Sequence, residues 1–179
     1  MPTPQYLDAL TAPGSKGGVE SVAFSPDGTI LAVGEVNDNT YLFSMATHKI
    51  TATLPDSKGH QAFCVAFSPD GAALAVGDLN VHTYLFSMAT HKITATLTDP
   101  VGSGVFTVAF SPHGTTLVTG DRNGHAYLFS LATQKATATL TDPHSNGVYS
   151  VTFSPDDTTL AIGDDNGSTY LWRVAGSAS

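Results

Sequence analysis

Apolar residues recur along this chain with a period of two, as in Val105-Phe106-Thr107-Val108-Ala109-Phe110. The runs are short, rich in β-branched and aromatic residues, and punctuated by turn residues. Such alternation predicts strands, not helices. The punctuation is itself periodic: a turn beginning Ser-Pro starts at Ser25, Ser68, Ser111 and Ser154, an interval of 43 residues each time. Tyr-Leu-Phe-Ser at Tyr41, Tyr84 and Tyr127 keeps the same interval, and its fourth copy reads Tyr170-Leu171-Trp172-Arg173. Thr40 to Leu54 and Thr83 to Leu97 are identical letter for letter, which a recent duplication explains. A period of this length marks a repeat architecture.

Each repeat holds four strands joined by hairpins. Ser25-Pro26-Asp27-Gly28 suits a type I turn with glycine at the left-handed position. The next hairpin turns at Asn123-Gly124 and Asn166-Gly167, where positive φ comes cheaply. The first two repeats carry Asn37-Asp38 and Asn80-Val81 instead, and a β-branched Val81 predicts a distorted loop.

Val-Ala-Phe-Ser-Pro-Asp-Gly, followed by Leu-Ala-Val-Gly and an aromatic strand, resembles the WD-repeat β-propeller family of bacterial type. The resemblance implies an all-β fold of four-stranded antiparallel blades around a channel. The chain departs from the family at several points. The family's Trp is Phe43, Phe86 and Phe129, with only Trp172 retained, and its following Asp is Ser44, Ser87, Ser130 and Arg173. Gly-His survives once, as Gly59-His60. The tight-turn Asp falls on Asn37, Asn80, Asn123 and Asn166, and its hydroxyl partner on Val33, Val76, Thr119 and Ile162. The family's buried hydrogen-bond network is therefore largely missing, and apolar packing must replace it.

The chain divides into a closing segment, 1–17, four repeats at about 18–60, 61–103, 104–146 and 147–174, and a tail, 175–179. The fourth repeat ends in its third strand, and Ala175 to Ser179 are too short to supply an outer one. Tyr6 to Pro13 resembles the outer strand and exit loop Lys135 to Pro143, so it is expected to be the missing strand, displaced to the front. Tyr6, Leu7, Leu10 and Trp172 would then close the ring. Two geometries satisfy this: a four-bladed propeller closed within one chain, or two chains joined head to tail as an eight-bladed homodimer. Blade shape favours the dimer.

Composition narrows the function. Seven Lys and Arg against fifteen Asp and Glu give a net charge of −8, the wrong sign for neutralising a phosphate backbone. No nucleic acid is expected as partner, and a basic protein or peptide suits the charge better. No segment approaches the about 20 apolar residues of a membrane span. A lone Cys64 and no signal-like leader point to a cytoplasmic protein. No nucleophile elbow, phosphate-cradling loop or zinc-protease motif is present, so the expectation is a non-catalytic interaction scaffold with no cofactor. The alternatives are a small-ligand or carbohydrate binder, or a natural or engineered propeller fragment with no function of its own.

Glu35, Asp78, Asp121 and Asp164 recur in every repeat just before the Asn turn. They predict either an acidic rim for a cation or basic partner, or carboxylates that cap their own hairpin amides. His82 and His125 follow Asp78 and Asp121 by four residues, a weak metal candidate. His48 and His91 are expected on the surface. Tyr41, Tyr84, Tyr127 and Tyr170 are candidates for sugar-binding pockets or, more simply, for packing between blades. Asp164-Asp165-Asn166-Gly167 resembles the start of a calcium loop but lacks the distal Glu.

Overall fold

The computed structural model of the protein describes residues 3–13, 17–55, 61–141 and 146–174. Four antiparallel sheets follow one another along the chain. The first blade holds β1 (Val19–Phe24), β2 (Ile30–Glu35), β3 (Asn39–Ser44) and β4 (Lys49–Pro55). The second holds β5 (Ala62–Phe67), β6 (Ala73–Asp78), β7 (His82–Ser87) and β8 (Ile93–Thr98). The third holds β9 (Val105–Phe110), β10 (Thr116–Asp121), β11 (His125–Ser130) and β12 (Lys135–Thr141). The fourth holds β13 (Val148–Phe153), β14 (Thr159–Asp164) and β15 (Thr169–Arg173), in that order and without a fourth strand among the described residues. Gly59-His60 and Ala175 to Ser179 lie outside the described residues.

The Ser-Pro turns take the expected conformation. Gly28, Gly71 and Gly114 sit at φ 70°, 71° and 67°, and Asp157 accepts φ 59° in the fourth copy. In the first turn the Ser25 hydroxyl donates to Asp27 Oδ1 at 2.6 Å and accepts from the Ile30 amide at 3.0 Å. In the second hairpin Asp38, Gly124 and Gly167 take positive φ, whereas Val81 at the same register does not, so that loop is reshaped as its β-branched residue requires.

Strand alternation sends side chains to two faces, and both are used. The front of the second blade (Val65, Leu74, Val76, Tyr84, Phe86) packs on the back of the first (Ala32, Leu42, Leu54). The front of the third (Val108, Leu117, Tyr127, Phe129) packs on the back of the second (Ala75, Leu85, Ala95, Leu97). The fourth repeats the pattern on Val118 and Leu128. Glycines set how closely blades approach. A Cβ on Gly77 would fall 2.7 Å from Val105 Cγ1, and one on Gly120 would fall 2.4 Å from Val148 Cγ1. Aromatic contact also crosses the inner strands: Phe63 and Phe106 rings lie 5.0 Å apart, and Phe106 and Tyr149 rings 5.2 Å.

The stack does not close on itself. β1 packs on β5, β5 on β9 and β9 on β13, but no comparable packing joins β13 to β1. The geometry of a four-bladed ring closed within one chain is therefore not adopted. In the single chain residues 3–12 form no strand, and Tyr6 and Leu7 are 80% and 81% exposed. Leu10 and Ala12 instead pack against Val33, Tyr41 and Phe43 on the front of the first blade.

Leu42→Ala deletes a fully buried contact between blades and is expected to lower stability by about 2–5 kcal/mol in urea unfolding. Gly120→Ala should cost about 1–3 kcal/mol through overpacking against Val148, whereas Gly163→Ala, whose Cβ would come no nearer than 3.5 Å to Ser150 Cβ, should change little in the single chain.

Candidate functional site

The recurring acids do not form a solvent-facing rim. Glu35, Asp78 and Asp121 are buried and Asp164 is half-buried. Asp78 Oδ1 accepts from the amides of Asn80 at 3.0 Å and His82 at 2.9 Å. Asp121 Oδ1 accepts from Asn123 and His125 at 2.9 and 2.7 Å. Asp164 takes the Asn166 amide at 3.0 Å, and Glu35 takes the Asn37 side-chain amide at 2.9 Å. A hairpin that turns within two or three residues leaves amides pointing inward, and a carboxylate at the strand end is their nearest acceptor. The tight-turn acid is thus this residue and not the Asn that follows.

The histidines belong to the same turns. His82 and His125 stack on Tyr84 and Tyr127, with ring centroids 5.9 and 5.8 Å apart. Each holds Nδ1 3.4 Å from the Asp78 or Asp121 Oδ2 oxygen. Among the described residues no three His, Cys, Asp or Glu side chains gather as a metal would need. Tyr41, Tyr84 and Tyr127 are buried between blades and Tyr170 is half-buried, so three of the four rings offered as sugar platforms are core. Tyr84 and Tyr127 donate to Asp78 and Asp121 Oδ2 at 3.3 and 3.4 Å. His48 takes φ 55° in the turn after β3 and meets Asp8 of the N-terminal segment at 2.9 Å.

Leu79, Ile93, Val101 and Tyr149 are exposed along the stack, and a second set of exposed apolar side chains lies at its two ends. Val22 on β1 is 59% exposed, while Val65, Val108 and Val151 at the same register are 7%, 8% and 7% exposed. Leu171 on β15 is 72% exposed, against 0%, 7% and 8% for Leu42, Leu85 and Leu128. Val19 and Phe24 are also exposed at the first end. Val19, Val22 and Leu171 stand at positions that are buried in the other blades, and large exposed apolar patches mark interaction surfaces. Sequence reasoning missed Val22 and Leu171, although their alignment with buried counterparts carried the signal.

Leu10 adds a third element. Leu54 packs with Tyr84 and Phe86, and Leu97 with Tyr127 and Phe129, each from the outer strand of one blade onto the front of the next. Leu10 bears the same relation to Tyr41 and Phe43. The Tyr41 hydroxyl also donates to the Pro13 carbonyl at 3.4 Å. The N-terminal segment therefore lies where the outer strand of a preceding blade would lie. Trp172, the remaining closure candidate, is half-buried against the core of the fourth blade.

The turn caps give a separate prediction. Asp121→Ala strips two amides of their acceptor in a part-buried hairpin and should cost about 1–3 kcal/mol in thermal or urea unfolding; Asp164→Ala, whose turn bond is exposed, should cost less.

No curated protein matches the sequence. The family described as WD domain, G-beta repeat matches four times, over residues 7–43, 49–81, 91–130 and 134–173. The second match opens at the first residue of β4, the third just before β8 and the fourth just before β12, so each begins on an outer strand. The first opens at Leu7, which puts the N-terminal segment in the outer-strand place of its own repeat. With most of its length matched in blade register and four antiparallel blades stacked in order, the chain belongs to the WD-repeat family.

Proposed function

We propose that the chain is a non-catalytic protein-interaction module whose end blades dock head to tail on a second copy, forming an eight-bladed ring. The observation that carries this reading is the pair of open faces, Val22 at one end and Leu171 at the other, at positions buried in every internal joint. The two faces are complementary by construction, because each internal joint is the same front face on the same back face. A contact of this kind is heterologous, and two copies close it with twofold symmetry.

The N-terminal segment supports the same geometry. Leu10 already covers the front of the first blade as an outer-strand leucine does, and among the described residues no strand pairs with the outer edge of β15. Docking would bring that edge beside residues 7–12 of the second copy and turn the segment into the missing outer strand. Pairing the edge removes a template for uncontrolled association. Burying Val22 and Leu171 contributes roughly 1.5–3 kcal/mol each in gross terms, set against an association cost of 4–15 kcal/mol. Closing two joints at once helps to offset that cost.

WD-repeat domains mediate protein interactions, and the ring would be the platform for them. With its recurring acids committed to turns, the chain's attraction for a basic partner rests on the net charge of −8 and not on a rim.

Val22→Asp and Leu171→Asp test the joint, because both side chains are exposed in the single chain and neither replacement disturbs a folded blade. In sedimentation velocity each variant alone should run as one chain, and an equimolar mixture should recover two-chain species, since one intact joint can then form. Variants that keep the mass of the unmodified dimer, or a mixture that stays monomeric, would contradict head-to-tail docking.

A further inference from the structure

A third buried carboxylate stands apart from the turn caps. Asp99 follows β8 in the loop to β9, and its amide donates to the Val81 carbonyl at 2.9 Å. Its Oδ1 accepts from the Thr119 hydroxyl at 2.9 Å. Its Oδ2 is buried without a hydrogen-bond partner. The residue is 4% exposed, and no Lys or Arg pairs with it among the described residues. Gly102 lies between it and the next acid: a Cβ there would be 3.4 Å from Asp99 Oδ2 and 3.5 Å from Asp121 Oδ2. Any side chain at Gly102 would intrude on that space.

The groups facing Asp99 are mostly acids. Asp78 at the end of β6 and Asp121 at the end of β10 both act on it, each beside its own histidine, His82 or His125. From β11 comes Tyr127, whose hydroxyl is pushed up to about 12 chiefly by burial and then by Asp121 and Asp99. From β5 comes Cys64, its thiol raised by burial and, to a lesser degree, by Asp99 and Asp78. Asp78 and Asp121 are committed to backbone amides through Oδ1, whereas Asp99 Oδ2 has no donor, which leaves Asp99 as the buried acid that takes a proton.

The geometry points to Asp99 as a proton-operated latch between the second and third blades. Neutral, it lets the 99–104 loop close over the buried acids; ionised, it releases that loop. The loop forms one wall of an open groove of about 420 Å³ lined by Leu79, Asn80, Gly102, Phe106, Arg122 and Asn123, so the proton sets the position of that wall. The Gly104 amide bonds the Asn80 carbonyl, and the Arg122 amide bonds the Ser103 and Gly104 carbonyls at 3.1 and 3.2 Å, which ties loop position to blade contact.

Burial lifts the Asp99 carboxyl to about 7, the Thr119 hydroxyl pulls it down, and Asp121 and Asp78 add to the rise. A raised folded value means that stability from this group is fully present below the unfolded value of 3.8 and is lost as pH rises through about 7. Asp27, Asp70 and Asp156 work in the opposite sense. Hydroxyls of Ser25, Ser68 and Ser154 hold them below the usual range, so their contribution is lost only as pH falls below that range.

Carbon-detected NMR of the side-chain carboxyls, on the full chain from pH 4 to 9, should show Asp99 titrating near 7, with the Gly104 and Arg122 amides losing protection over the same range. Asp99→Asn, which mimics the neutral acid, should keep both amides protected throughout. The unfolding constant of the unmodified chain relative to that variant should rise on the order of 10²–10³-fold from pH 4 to pH 8. An Asp99 midpoint in the ordinary carboxylate range would overturn the latch. So would calcium stabilising the unmodified chain but not Asp99→Asn at pH 8, because the site would then hold a cation in place of a proton.

Discussion

A WD-type blade buries side chains on both of its faces, so each face calls for a neighbour to cover it. The first two internal joints meet that requirement with the same parts, an outer-strand leucine against a tyrosine and phenylalanine of the following blade, and the third sets Leu140 in the cluster with Trp172. Gly77 and Gly120 admit Val105 and Val148 where any Cβ would collide. Stability in such an array is a sum of repeats and nearest-neighbour joints. An array with two ends therefore carries two unmet joints, and the exposed Val22 and Leu171 are their mark.

Within the blades, polar chemistry has been reduced to turn closure. Val33, Val76 and Ile162 stand where the family places a hydroxyl, and all three are buried apolar side chains. The hairpin acids still bind their amides and, through Oδ2, the tyrosine hydroxyls of β7 and β11. Thr119 is the one hydroxyl retained at that position, and it meets Asp99.

Much of this was legible in the sequence, because strand alternation and turn chemistry are local. The 43-residue period, the glycine in the Ser-Pro-Asp-Gly turn and the altered loop at Val81 each follow from a few adjacent residues. The direction of the hairpin carboxylates was not legible. An acid at a strand end reads the same whether it faces water or its own turn, and only the inward amides of Asn80 and His82 decide it. The position of residues 3–13 was half legible: their likeness to an outer strand is real, but where that strand lies depends on which blades are adjacent. Val22 and Val65 are the same letter in the same register. What separates 59% exposure from 7% is the presence of a preceding blade, which no local pattern encodes.

Docked copies would place Leu171 of one chain where Leu42, Leu85 and Leu128 already lie, and would give residues 7–12 a strand to pair with. The most direct measurement is molar mass in solution by light scattering across a range of concentrations. The account predicts a species of twice 18.5 kDa at working concentration. A mass of one chain at every concentration would contradict it.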